Sequence, residues 1–336
     1  MKSLRLYGPG DTRIQEEPKP QPQAGEALVR VTAVGLCGSD LHWFSEGGIG
    51  DARLEQPLVL GHEGVGVIVD GPRKGRRAAI DPAIPCESCE FCLGGDPNLC
   101  SNIRFAGHGR EDGQLREYLA WPERCLVPLP DNISDDEGVL LEPLGVALHA
   151  VDLGHLRVGM TVAVFGCGPV GVMVAQLARL SGAKSVYVTE TLPHRLEIAL
   201  AHGFTGFSAD GEEAVRILTA TRGRGVDVAF EVAGEEAAVE AAFAAVRPGG
   251  RVVLIGIPGN DRTAFNAGTA RRKGLTIKLV RRMKHTYGRA ISLVGQGLVE
   301  LRSLPAHHFP LEQGQAAFEL AARREGMKVI VNPTRT

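Results

Sequence analysis

Hydrophobic and polar positions along this chain change rhythm twice. Up to about residue 145 the apolar runs are short, β-branched and cut by Gly and Pro, as in EALVRVTAVGLC (26–37), HEGVGVIVD (62–70) and RAAIDPA (77–83). Segments of this kind predict strands separated by turns. Beyond that point the runs lengthen. TVAVFGCGPVGVMVAQLARLSGAKSVYVTE (161–190) predicts a buried strand, a glycine-rich turn, an apolar helix and a second buried strand. HRLEIALAHG then predicts a helix, GVDVAFEVAG a strand, EEAAVEAAFAAVRPGG a helix closed by Pro248-Gly249-Gly250, and RVVLIGI another strand. Near-continuous apolar strands alternating with helices are the pattern of a parallel, doubly wound sheet. From about residue 283 the alternation stops, with YGRAISLVGQG predicting a helix and KVIVNP a strand.

Composition narrows the class. At 336 residues the chain suits two domains, and 44% apolar with 23% charged residues is the make-up of a soluble enzyme. A formal net charge of −2 leaves no electrostatic reason to expect nucleic acid or an anionic membrane as partner, and the run Arg271-Arg272-Lys273 reads as a solvated turn. No stretch approaches the ~20 apolar residues of a membrane span. The opening MKSLRLYGPGDTRIQEEPKP lacks the apolar core and cleavage site of a secretory signal, so a cytoplasmic, reducing location is expected.

In such a compartment, bunched thiols point to metal. Four of the seven cysteines, Cys86, Cys89, Cys92 and Cys100, lie within CESCEFCLGGDPNLC (86–100). Their C-x2-C-x2-C-x7-C spacing lets four thiolates converge on one ion, with Gly94, Gly95 and Pro97 turning the chain back. Four sulfurs with no open position describe a structural zinc site; an iron–sulfur run of this type would close with a shorter last gap. Cys125 and Cys167 read as a buried small residue and a turn residue.

Gly166-Cys167-Gly168-Pro169-Val170-Gly171 is G-x-G-x-x-G placed between the strand VAVF and a helix. In that context Gly166 makes the turn, Gly168 admits a pyrophosphate to the backbone, and Gly171 packs helix on strand. The helix N-terminus faces the phosphates. Glu190 ends the next strand, where a carboxylate accepts from a ribose diol and repels a 2′-phosphate, so NAD is favoured over NADP. Arg195 keeps the second cofactor in view, since it could reach a 2′-phosphate or simply pack near the adenine.

A further constellation precedes the cysteine lobe. GLCGSDLH supplies Cys37, Ser39, Asp40 and His42, LGHEGVG supplies His62 and Glu63, and LLEPLGVALHAV supplies Glu142. A thiolate, an imidazole and one or two carboxylates are the donors of a catalytic zinc that keeps a position open for substrate.

At these residues the chain resembles the zinc-dependent medium-chain dehydrogenases, within them the sorbitol (polyol) and L-idonate dehydrogenase branch. The likeness runs through CGSDLH, PLVLGHE, the Cys86–Cys100 lobe, EDGQLREY, LPDNIS, LLEPLGVALHA, GCGPVG, HHFPLEQGQAAFE and GMKVIVNP. Glu142-Pro143-Leu144 sets it apart from the alcohol dehydrogenases, which usually carry cysteine at that position. The resemblance implies an α/β protein: a GroES-like, β-rich catalytic domain (1–147, with the lobe at 86–100, and 283–336) and a Rossmann domain (148–282). It implies two zinc ions per chain, a catalytic one on Cys37, His62 and Glu63 and a structural one on the lobe. Glu142 stands beside the first as ligand or water partner, Asp40 orients His62, and Arg282 reaches substrate hydroxyls. Ser39, His42 and Glu142 are the candidates for moving the proton. The expected reaction is hydride transfer from a secondary alcohol of a polyol or sugar acid to NAD+, by a homodimer or homotetramer.

Three departures from the family stand out. The hairpin within VIVDGPRKGRRAAIDP is shortened, Trp43-Phe44 occupies the segment expected on the substrate side, and Glu190 replaces the usual aspartate. Two other readings stay open: a threonine or simple alcohol dehydrogenase, and a catalytically silent dinucleotide-binding protein.

Overall fold

The computed structural model describes residues 1–334. It divides into two units, one made of residues 1–142 together with those from 287 onward, the other of residues 143–286. The joints fall at Glu142/Pro143 and Thr286/Tyr287, against expected joints at 147/148 and 282/283.

The first unit is built around β1, Glu26–Gly35, which is buried at most positions. It is followed by helix α1, Gly38–Glu46, and by β2, Glu63–Asp70, which runs antiparallel to β1 with Gly35 opposite Glu63. Residues 71–76 make the short turn into β3, Arg77–Ile80, antiparallel to β2. β4, Tyr118–Pro122, pairs with β1, and β5, Leu126–Pro128, with β3. Antiparallel pairing through tight turns suits the Gly- and Pro-cut runs of the sequence. Leu6, Val29, Leu58, Leu60, Ile68 and Ile80 fill the core of this unit. Trp43 and Phe44, expected on a substrate-facing segment, are both buried in that core instead, Phe44 stacked on Phe318 at 5.0 Å between centroids. They are the buried apolar residues of α1, and burying them fixes the helix against the core.

Helix α2, Leu141–Gly154, carries the chain onward. The second unit has a six-stranded, wholly parallel sheet: β6 Thr161–Phe165, β7 Ser185–Glu190, β8 Thr205–Ser208, β9 Val226–Glu231, β10 Val246–Leu254 and β11 Thr276–Leu279. Their order is β8-β7-β6-β9-β10-β11, the doubly wound arrangement whose direction reverses between its first and fourth strands. α3, Pro169–Leu180, links β6 to β7, and α4, Pro193–Ala201, follows β7. One expectation is corrected. Pro248-Gly249-Gly250 does not close a helix: α5 runs Glu236–Ala245 and β10 begins at once with Val246. Val246 pairs with Val226 while Arg251 pairs with Val228, so the Pro-Gly-Gly stretch bulges out of the ladder between two anchored pairs. The buried Val246 side chain holds the strand in register, and a bulge is where a residue without N–H fits a sheet.

The chain then rejoins the first unit's sheet through α6, Tyr287–Gly295, β12, Pro305–Pro310, and β13, Lys328–Asn332. β13 lies antiparallel to β1 and parallel to β12, giving the order β5-β3-β2-β1-β13-β12. Among the described residues no helix is long and apolar enough to cross a membrane.

At the end of β9, Glu231 is 1% exposed, and its Oε1 accepts from the amides of Ala233 and Gly234, each at 2.7 Å. Burial pushes its carboxyl from 4.5 up to about 7, outweighing those amides. The folded state therefore binds this proton more tightly than the unfolded chain does. Its contribution to stability is full below pH 4.5 and is lost as pH rises through about 7. The loss is on the order of 3 kcal/mol. Thermal unfolding between pH 5 and 8 is expected to show a falling midpoint that flattens in Glu231→Gln; an equal slope in both proteins would refute the assignment.

Candidate active site

Three elements of the first unit bring the mixed donor set together. β1 ends at Gly35, and after Leu36 the chain presents Cys37 as the N-cap of α1. His62 and Glu63 stand at the start of β2, directly across from the end of β1. The ligand atoms of Cys37, His62 and Glu63 all lie within 4.8 Å of one another. Asp40 holds the arrangement from behind. Its Oδ2 accepts from the Cys37 amide at 2.9 Å and its Oδ1 from the Gly61 amide at 3.2 Å, while His62 Nδ1 lies 3.2 Å from the same Oδ1. With Nδ1 donating to the carboxylate, Nε2 keeps its lone pair for a metal. Burial lowers the proton affinity of His62 and the Asp40 and Cys37 charges raise it by more. A field that favours a proton on the ring favours a metal cation there as well.

The Glu63 carboxylate divides its two oxygens. Oε2 meets the ammonium of Lys328 at 2.6 Å, and Oε1 is buried with no hydrogen-bond partner. An orphaned buried carboxylate oxygen is costly, and here it belongs to a group of thiol, imidazole and carboxylate donors. That set fits a zinc ion.

Glu142 is buried in the same unit, at the start of α2, but is not part of the compact three-donor set. Burial raises its carboxyl to about 7, the Glu63 charge adding to the rise and His62 and Lys328 opposing it. Ser39 Oγ is 3.4 Å from His62 Nε2. His42, one turn further along α1, sits with Nδ1 at 3.0 Å from Glu46 at the more exposed end of the helix. Lys328 drew no attention in the sequence. Its signal was there, in a single cation opening a strand, KVIVN, whose next three residues are apolar.

The sulfurs of Cys86, Cys89, Cys92 and Cys100 also gather within 4.8 Å, in a lobe of one short helix, Glu90–Leu93, and one 3-10 turn, Pro97–Leu99. None of them forms a disulfide; all seven cysteines are free thiols. The Cys86 amide points at Cys100 Sγ, 3.3 Å away, closing the lobe's two ends. Four sulfurs at this spacing suit a tetrahedral zinc without an open position.

In the second unit the glycine loop leaves β6. Gly166 adopts φ +104°, and a Cβ on Gly171 would lie 1.9 Å from the Gly166 carbonyl oxygen, so helix and strand approach closely only without side chains there. Gly168 caps α3, with Pro169 and Val170 opening its first turn. Glu190 is turned into this loop. Its Oε2 accepts from the Cys167 amide at 2.8 Å and its Oε1 from the Thr191 and Leu192 amides at 2.8 and 3.1 Å. The extra methylene relative to aspartate lets it tie the β7 end to the loop. Arg195 Nη1 lies 3.6 Å from where a Gly168 Cβ would stand, so the guanidinium flanks the same loop. Arg282 follows β11, half-buried and at φ +55°.

A doubly wound sheet with this loop, and a mixed thiolate, imidazole and carboxylate set, are the parts of a metal-dependent dehydrogenase that uses a dinucleotide. Comparison with known proteins agrees. Residues 23–131 match the alcohol dehydrogenase GroES-like domain, and residues 169–296 the zinc-binding dehydrogenase domain. Sorbitol dehydrogenase of Bacillus subtilis is 36% identical over 100% of this chain and 98% of its own length. The structure of L-idonate 5-dehydrogenase from Escherichia coli is 25% identical with a TM-score of 0.91, over 98% of this chain and 97% of that one. An alcohol dehydrogenase of Escherichia coli solved with NADH is 27% identical with a TM-score of 0.90, over 99% of each chain. The chain belongs to the zinc-dependent medium-chain dehydrogenase family. Within that family its likeness is to the sorbitol dehydrogenase-like branch.

Gly171→Ala is expected to abolish saturable NADH binding, measured by quenching of protein fluorescence, while the first unit stays folded. Wild-type affinity in that variant would show that the loop does not hold the nucleotide.

Proposed function

We propose that this protein oxidises a secondary hydroxyl of a polyol or sugar acid, with Cys37, His62 and Glu63 holding the zinc at which substrate binds. The observation that carries the reading is the donor set, His62 and Glu63 buried and Cys37 half-buried, with one carboxylate oxygen left unpartnered. Zinc held there supplies Lewis acidity toward a hydroxyl oxygen, which lowers the cost of removing its proton at neutral pH. The nicotinamide cofactor is the hydride acceptor.

The chain's own residues do the rest. Asp40 fixes the His62 ring and the Cys37 loop, so the donors are set before substrate arrives. Ser39 stands beside the donor set and accepts the hydroxyl proton as it gives up its own, which His42, one turn along α1, carries toward the surface at Glu46. Glu142, buried nearby and raised to about 7, supplies the carboxyl that orders water on the metal side. In the second unit the α3 N-terminus receives the pyrophosphate, and Glu190 accepts from the adenosine ribose with lone pairs not used by the loop amides. That carboxylate favours NAD+ over NADP+. Arg282 offers a planar set of donors to further hydroxyls of the substrate. The lobe sulfurs hold a second, structural zinc.

The test is reduction of NAD+ and NADP+, side by side, with polyols, sugar acids, threonine and simple alcohols. Turnover is expected with NAD+ and a substrate bearing several hydroxyls. Turnover confined to threonine or a simple alcohol would replace the substrate class. Turnover confined to NADP+ would overturn the role given to Glu190, and bound but unreactive NADH across the panel would favour a silent binding protein.

A further inference from the structure

We propose that Lys328 is a positioning residue for the catalytic metal: its ammonium grips Glu63 by Oε2, presents Oε1 to the ion, and so sets how firmly that ion is retained. This rests on the reading of Cys37, His62 and Glu63 as the catalytic zinc site.

Every residue of β13 is buried, and Lys328, the first of them, is the one cation in it. A charge so enclosed is costly unless hydrogen-bond acceptors and an opposite charge meet it. Two of its three donors are met, by Glu63 Oε2 at 2.6 Å and the Leu36 carbonyl at 3.0 Å. Leu36 precedes Cys37, so one ammonium ties the segment that carries the thiol to the strand end that carries the carboxylate. An ammonium has donors only. It can hold one carboxylate oxygen and cannot satisfy a metal's coordination, which leaves the unpartnered Oε1 as the oxygen to be shared with the ion. Gly35 makes room for this contact. A Cβ there would stand 2.5 Å from Glu63 Oε2 and 3.5 Å from the Lys328 side chain. Any larger residue at 35 would push the carboxylate out of the ammonium's reach.

Charge counting points the same way. A thiolate and a carboxylate neutralise a divalent ion, and the Asp40 carboxylate is then balanced by Lys328. Without Lys328 the pocket would hold an excess negative charge and a carboxylate with neither oxygen held.

The experiment measures zinc per chain during dialysis against a chelator, for wild type, Cys37→Ser, Lys328→Met, Lys328→Arg and Gly35→Ala. The lobe zinc and far-ultraviolet circular dichroism report folding. Wild type is expected to hold two ions, and Cys37→Ser only the lobe ion. Lys328→Met should lose the other ion about ten- to hundredfold more readily, keeping the lobe ion. Gly35→Ala should behave likewise, and Lys328→Arg should recover part of the retention. Cobalt substituted at the site should show an altered visible spectrum in Lys328→Met, which a merely structural role would not produce. If Lys328→Met and Gly35→Ala fold and retain the ion as wild type does, the role of Lys328 is overturned and the site stands. If Cys37→Ser holds as much zinc as wild type, the site itself is refuted and the role of Lys328 falls with it. Should Lys328→Met fail to fold, Gly35→Ala and Lys328→Arg decide the question.

Discussion

Asp40 carries the arrangement of the first unit. It is removed from water, and burial alone would raise its carboxyl; the charge of His62 and the amides of Cys37 and Gly61 lower it by more. Those amides belong to two different loops, one after β1 and one before β2. A single ion therefore sets the gap between thiol and imidazole, and it does so only if both loops close on it together. The buried aromatic residues of α1 and the pairing of Gly35 with Glu63 serve that closure. Fold and site are in this sense one construction: neither loop can move without leaving a buried charge unmatched.

The two metal-type clusters are held by different physics. The lobe's four cysteines come from fifteen consecutive positions, and its short helix has no buried residue. Its Phe91, Leu93 and Leu99 side chains are exposed. Little apolar burial holds such a lobe, so an ion bound by its four sulfurs would be the chief source of its order. The Cys37, His62 and Glu63 set is assembled by a sheet, two buried ion pairs and the core behind α1. There the protein fixes the donors in advance, which suits an ion that must exchange one of its positions during turnover.

Most of this was legible in the chain. The C-x2-C-x2-C-x7-C lobe, the glycine loop and the parallel alternation are local patterns, and local patterns survive in a sequence. Cys37, His62 and Glu63 were legible as donor types, because few other roles ask for them in one β-rich domain. What escaped was non-local. Lys328 acts on Glu63 from 265 positions away, and nothing near either residue announces the other. Pro248-Gly249-Gly250 misled for the opposite reason: a strong local stop signal was overridden by the pairing of Val246 with Val226. Trp43 and Phe44 were misplaced because an amphipathic helix does not say which face will be core. Glu190 is legible as an acidic residue ending the second strand, while its hold on the Cys167 amide depends on how the loop returns.

The placement of β13 has a consequence for biosynthesis. The second unit is a continuous segment, and its six strands are available as soon as residues 143–286 have left the ribosome. The first unit is discontinuous, and β1 waits for a partner that emerges only after the whole second unit has been made. Until then Glu63 lacks its cation, and the edge of β1 at Val34 and Gly35, beyond the stretch paired with β4, is open, a state prone to wrong pairing. The second unit thus acts as a timed interruption: it can fold first, and the site becomes complete only after β13 has emerged behind it.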